Sequence, residues 1–184
     1  MSETERIHPG ADMERFVSEQ ITFVGLDEGD VALIRRTAPV VLKHEAALTT
    51  ALYDHFLRFP ATAQFFLGLD GAPDRERIDR RKHSLGRWLK ETAEVAFDGG
   101  FVYYLLGVAL SHSHREHGPG GKIPPQFMVG AMSLTQTALA GVLEAELPDA
   151  REALRAATAW NKLLLVHLNV LLLGYMLPPR GAPD

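Results

Sequence analysis

Apolar residues recur along this chain at three- and four-residue intervals, and no stretch alternates with period two. That spacing predicts helices and no strands. A short helix is expected over residues 13–20, then one capped by Asp27 and running to about Arg36. Thr37 and Pro39 should restart the chain, since proline suits a first helical turn. The third helix then runs to Phe59, where Pro60 stops it. Ala61 to Phe66 forms a further short turn of helix, and 67–73 a loop. Asp74 opens a long helix to about Phe97, which Asp98-Gly99-Gly100 breaks. The next spans Phe101 to about His117 and is closed by Gly118-Pro119-Gly120-Gly121. Pro124-Pro125 begins another, lasting to Glu146, and Pro148 begins the last. The expected architecture is all-α, preceded by an N-terminal extension (1–20) and followed by a disordered tail (178–184).

Composition narrows the class. The 184 residues suit one domain, here 21–177, with room for a substantial core. A net charge of −4 offers no basic excess, so nucleic acid is not an expected partner. The sequence holds no cysteine, which removes disulfides, thiolate nucleophiles and cysteine-held metals. No secretory pattern opens the chain, so the expected location is cytoplasmic. The longest apolar run, Leu163 to Leu177, carries His167 and Asn169 and falls short of the ~20 residues a membrane span needs. A buried helix or a subunit interface fits it better.

Candidate chemistry gathers at His112, His114 and His117. At roughly 100° per residue, His114 and His117 point well away from His112, so one metal cannot readily take two of them. His112 ends an apolar stripe of Leu105, Val108 and Ala109. His114 and His117 are expected in solvent. On spacing alone, His112 reads as a core histidine bonded to a backbone carbonyl.

Three segments change that reading. Val108-Ala109-Leu110-Ser111-His112 resembles the proximal-histidine segment of protoglobins and globin-coupled sensors. Pro124-Pro125-Gln126-Phe127 resembles the start of their next helix, and Ala159-Trp160-Asn161-Lys162 a segment early in their last one. Their order and separation cover roughly residues 20 to 177. The resemblance implies a globin-like fold with an extra N-terminal helix. It also implies haem b (iron protoporphyrin IX), with His112 as the iron ligand.

The same resemblance supplies the other site residues. Leu52-Tyr53 matches the family's distal pair, in which Tyr53 would donate its hydroxyl to a bound gas. Protoglobins carry Trp where Leu52 stands, and that departure favours the sensor branch. Phe66 matches an aromatic that packs on the haem, and Phe127 a wall on the proximal side. Val108 lies one turn before His112. Leu85 falls where the family has an apolar distal residue, though a one-turn shift would put Arg81 there instead. The charge run Asp79 to His83 reads as a solvated helix face, from which one Arg can meet a haem propionate.

The function expected is reversible binding of O2, CO or NO trans to His112, as a gas sensor or carrier and not as an enzyme. The alternatives are a haem enzyme, either a nitric-oxide dioxygenase or peroxidase-like, and a globin fold without haem. The enzyme needs a reductase or a polar distal acid or base. The apolar last two helices are expected to form a homodimer interface. No transmitter domain is legible, so the chain is expected to be a single-domain sensor globin or the sensing module of something longer.

Overall fold

The computed structural model describes residues 13–95 and 99–177. Among them there is no β-strand, and an antiparallel bridge pairs Leu67 with Pro73. The helices are α1 (Met13–Phe23), α2 (Glu28–Lys43), α3 (Glu45–Arg58), α4 (Pro60–Ala63), α5 (Arg75–Ala93), α6 (Gly99–His114), α7 (Pro125–Glu146) and α8 (Ala150–Met176). Single 3-10 turns cover Gln64–Phe66 and Gly118–Gly120. The expected tail, and residues 1–12 of the expected N-terminal extension, lie outside the described residues.

Local signals set most of these ends. Asp27 caps α2 by accepting from the Asp30 backbone N–H at 2.8 Å, and Asp30 reaches back to the Asp27 N–H. Asp74 caps α5 through the Arg77 N–H at 3.0 Å, and Asp149 caps α8 through that of Arg151 at 2.9 Å. Pro60 and Pro125 each stand in a first turn, where their missing N–H costs no bond.

Tertiary packing overrides the sequence signal in two places, and the α5–α6 boundary also differs from the expected one. The expected break at Thr37 and Pro39 does not occur, and α2 runs on to Lys43 with Pro39 inside it. Its buried stripe of Leu33, Ile34, Thr37, Ala38 and Val41 faces the core across the proline. The turn comes instead at His44. At the other end, α1 continues to Phe23, and Met13 and Val17 are buried in the common core. Helix α5 stops at Ala93, short of the expected Phe97, and α6 begins at Gly99 and ends at His114.

Helix α8 is the axis of the core. Helices α1, α2, α6 and α7 all pack on it, and Leu163, Leu164 and Val166 are fully buried there. Trp160 donates its indole N–H to the Thr37 hydroxyl at 3.0 Å, and that hydroxyl donates to the Leu33 carbonyl at 2.9 Å. Both polar groups are thus satisfied inside an apolar core. By length and composition alone, α7 and α8 pass for membrane spans. In this fold they pack on each other, and α8 is buried along much of its length.

Helix α6 is fixed against α8 by a close crossing. A methyl group on Gly174 would lie 2.4 Å from Cβ of Ala109. The Ser113 hydroxyl reaches the Gly174 carbonyl across the same crossing at 2.9 Å. That close approach and that hydrogen bond set the height and rotation of α6, the helix that carries His112.

Candidate functional site

A cavity of about 760 Å³ opens between α3, α5, α6 and α7. All seven residues singled out from the sequence line it: Leu52, Tyr53, Phe66, Leu85, Val108, His112 and Phe127. Its volume falls in the range of small-molecule and cofactor sites, roughly 300–1,000 Å³.

His112 stands on the α6 wall. Its Nδ1 lies 2.7 Å from the Val108 carbonyl, which can only accept, so Nδ1 carries the proton. Nε2 then holds the lone pair and has no hydrogen-bond partner among the described residues. Burial pushes the imidazole down to about 4, against the pull of the Val108 bond, with Arg81 and His117 adding to the depression. The ring is therefore neutral at physiological pH and keeps a basic nitrogen for a ligand.

Tyr53 stands on α3, 8% exposed, and packs edge-to-face on Phe56 at 5.7 Å and on Phe66 at 5.6 Å. Burial raises its phenol to about 12, partly offset by the Arg81 charge. It keeps its proton and is a donor. No protein hydrogen bond among the described residues uses that hydroxyl. Phe65 meets Phe127 edge-to-face at 6.0 Å and closes the wall between the 3-10 turn and α7.

The cavity holds polar groups that were expected elsewhere. His117, expected in solvent, is 6% exposed and lines the cavity. The Gly118–Gly121 turn brings it back: Gly118 and Gly121 both have positive φ, and the His117 N–H donates to the Gly121 carbonyl at 2.7 Å. Its ring centroid lies 5.7 Å from that of His112. His117 donates through Nε2 to the Ser111 carbonyl at 2.9 Å and accepts at Nδ1 from Arg81 Nη2 at 2.8 Å. Burial and the Arg81 charge depress its pKa. His114 is also not free in solvent; it is half-buried, with Nε2 3.2 Å from the Leu177 carbonyl.

Arg81 and Leu85 both line the cavity, one turn apart, so the alternative between them resolves into two neighbours. Arg77, Arg80 and Arg81 all line it; the last two belong to the charge run 79–83, expected as a solvated helix face from which one Arg can turn toward the site. Arg77 pairs with Asp74 at 2.9 Å, and Arg80 pairs with Glu76. The signal that could have found His117 was the glycine-proline turn directly after it. Trp88 and Tyr104 also line the cavity, and neither had a sequence pattern to mark it.

A smaller cavity of about 210 Å³ adjoins, lined by α3, α5 and α7. Leu52, Leu85, Trp88 and Thr135 line both spaces, so Leu52 stands in the partition between them. Among the described residues no group of three His, Asp or Glu side chains could hold a bare metal ion.

The fold is that of the globin domains of bacterial sensors. Over 86% of this chain and 96% of that one, it superposes on the globin domain of the Geobacter sulfurreducens globin-coupled sensor with a TM-score of 0.71, at 18% identity. The globin domain of Escherichia coli DosC in its ferric form matches over 86% of this chain and 98% of its own, with a TM-score of 0.67 and 16% identity. The ferrous form gives 0.67 at 17%, over 85% and 97%. No curated protein sequence matches. The protoglobin family model matches residues 13–177. The chain belongs to the protoglobin family.

Proposed function

We propose that the large cavity holds haem b, with Nε2 of His112 as the protein's ligand to the iron. The observation that carries this reading is the neutral, oriented imidazole of His112, a residue that lines a cofactor-sized cavity and whose Nε2 has no hydrogen-bond partner among the described residues. The donor set fits the group. A porphyrin is a flat apolar ring with two carboxylates on one edge. The lining here is mostly apolar and aromatic, with Arg77 and Arg81 among its few charges. The absence of cysteine means the haem would be held without thioether bonds.

Bound haem would supply an iron able to take O2, CO or NO, with His112 as the residue that would hold it. The chain's residues do the rest. His112 is oriented by its Nδ1–H bond to Val108 and stays neutral, with Nε2 unprotonated. Tyr53 keeps a proton to donate toward a polar gas ligand. Phe66, Phe127, Val108 and Leu85 exclude water from the ring. Family membership and the superposition on sensor globin domains favour a gas-sensing or gas-carrying role.

The chain would act as a homodimer through α7 and α8. Leu154, Leu165 and Met176 recur every eleven residues, a three-turn repeat that keeps them on one stripe of α8, and all three are exposed. Val129 adds an exposed apolar position on α7. Leu165→Glu should shift a dimer toward monomer in light scattering. An unchanged mass would place the contact elsewhere.

The test of the haem reading is reconstitution with haemin and absorption spectra in the ferric, reduced and CO-bound forms. The reading predicts stoichiometric binding and a stable reduced CO complex. Failure to bind haemin contradicts it. Sustained turnover of nitric oxide or peroxide would move the role from sensing to catalysis.

A further inference from the structure

Arg81 is the cavity guanidinium that no carboxylate neutralises among the described residues. Its neighbours Arg77 and Arg80 have Asp74 and Glu76. Arg81 is half-buried and instead donates to a neutral acceptor, Nδ1 of His117, at 2.8 Å. A partly desolvated cation gains more from an anion than from an imidazole, so this partner is the weaker of those it can take. The contact also joins two walls. Arg81 belongs to α5, and His117 to the connection between α6 and α7. His117 is fixed from behind by the Ser111 carbonyl and by the Gly121 turn, so Arg81 is the member free to move.

We propose that Arg81 is the cavity residue that takes a haem carboxylate, exchanging its bond to His117 for that carboxylate when haem enters, and that the Arg81–His117 contact otherwise latches α5 to the α6–α7 connection. The inference rests on the haem reading above and adds the residue that selects for the acid groups. An Arg fork matches a carboxylate with two parallel hydrogen bonds, which an imidazole cannot accept. His117, once released, keeps its bond to Ser111 and remains beside His112.

The test compares haemin with haemin dimethyl ester, in which both carboxylates are blocked, on the full ligand-free chain. Wild type should bind haemin roughly tenfold more tightly than the diester, the worth of one charge-assisted pair. Arg81→Gln should bind the two equally, and Arg81→Lys should keep part of the preference. A full preference retained in Arg81→Gln overturns the assignment. His117→Ala should take up haemin several-fold faster in stopped flow, with helicity unchanged in circular dichroism. An uptake rate equal to wild type overturns the latch. If wild type binds neither porphyrin, the haem reading itself has failed, which these two results do not mimic.

Discussion

The Nδ1–H of His112 donates to the carbonyl of Val108, one turn earlier on α6, at 2.7 Å. That bond fixes both the tautomer and the direction of the ring before any ligand arrives, and burial keeps the ring neutral. The site is thus prepared by its own helix and not by a second side chain.

The same burial makes the ligand-free protein sensitive to acid. His112 is depressed to about 4 and His167 to about 3, both first by desolvation, and His117 is lowered as well. The unfolded chain takes up protons near the ordinary histidine value of about 6.5, where the folded chain does not. Stability is therefore full above about pH 6.5 and falls as pH drops toward 4. Each such histidine adds a slope of up to about 1.4 kcal/mol per pH unit. Urea unfolding at pH 7.5, 5.5 and 4.5 reads this directly. A midpoint that does not fall between the first two would show that the histidines are solvated.

Tyr53→Phe separates donor from packing. The ring packs on Phe56 and Phe66, and the substitution keeps those contacts. Since no protein group among the described residues uses the hydroxyl, unfolding stability should change by less than about 0.5 kcal/mol. Oxygen dissociation from the reconstituted protein should accelerate roughly tenfold, the loss of one hydrogen bond to a polarised acceptor. CO, a poorer acceptor, should respond much less. Equal effects on both gases in stopped flow would assign Tyr53 a steric role.

Gly174→Ala attacks the scaffold without touching the cavity lining. The added methyl would meet Ala109 at 2.4 Å, with the Ala109 backbone carbon at 3.0 Å, so relief requires α6 and α8 to move apart. Overpacking of this kind costs about 1–3 kcal/mol. Thermal unfolding should fall accordingly, and haemin affinity with it, because α6 carries His112. A stability equal to wild type would mean that the crossing is looser than described.

Much of the fold was legible because helix periods, prolines and Asp caps act locally. The caps Asp27 and Asp74, the stop at Pro60 and the start at Pro124-Pro125 were read from one or two residues each, and the structure has them there. Pro39 misled because its cost is local while the benefit of continuing α2 comes from burying Val41, whose partners are distant in sequence. In the cavity, the seven residues named in advance came from family resemblance, which carries tertiary information that one sequence's periodicity lacks. The contact between His117 and Arg81 escaped because their meeting depends on a loop folding back across 36 residues of separation. Helical geometry alone points His117 away from His112, and it stays silent about a glycine turn outside the helix.

The most direct measurement replaces the one imidazole on which the account turns and then gives it back. His112→Gly, reconstituted with haemin, should lose the wild-type ferric and reduced spectra, and millimolar imidazole should restore them. A His112→Gly protein whose spectra match wild type without added imidazole would contradict the assignment of His112 as the iron ligand.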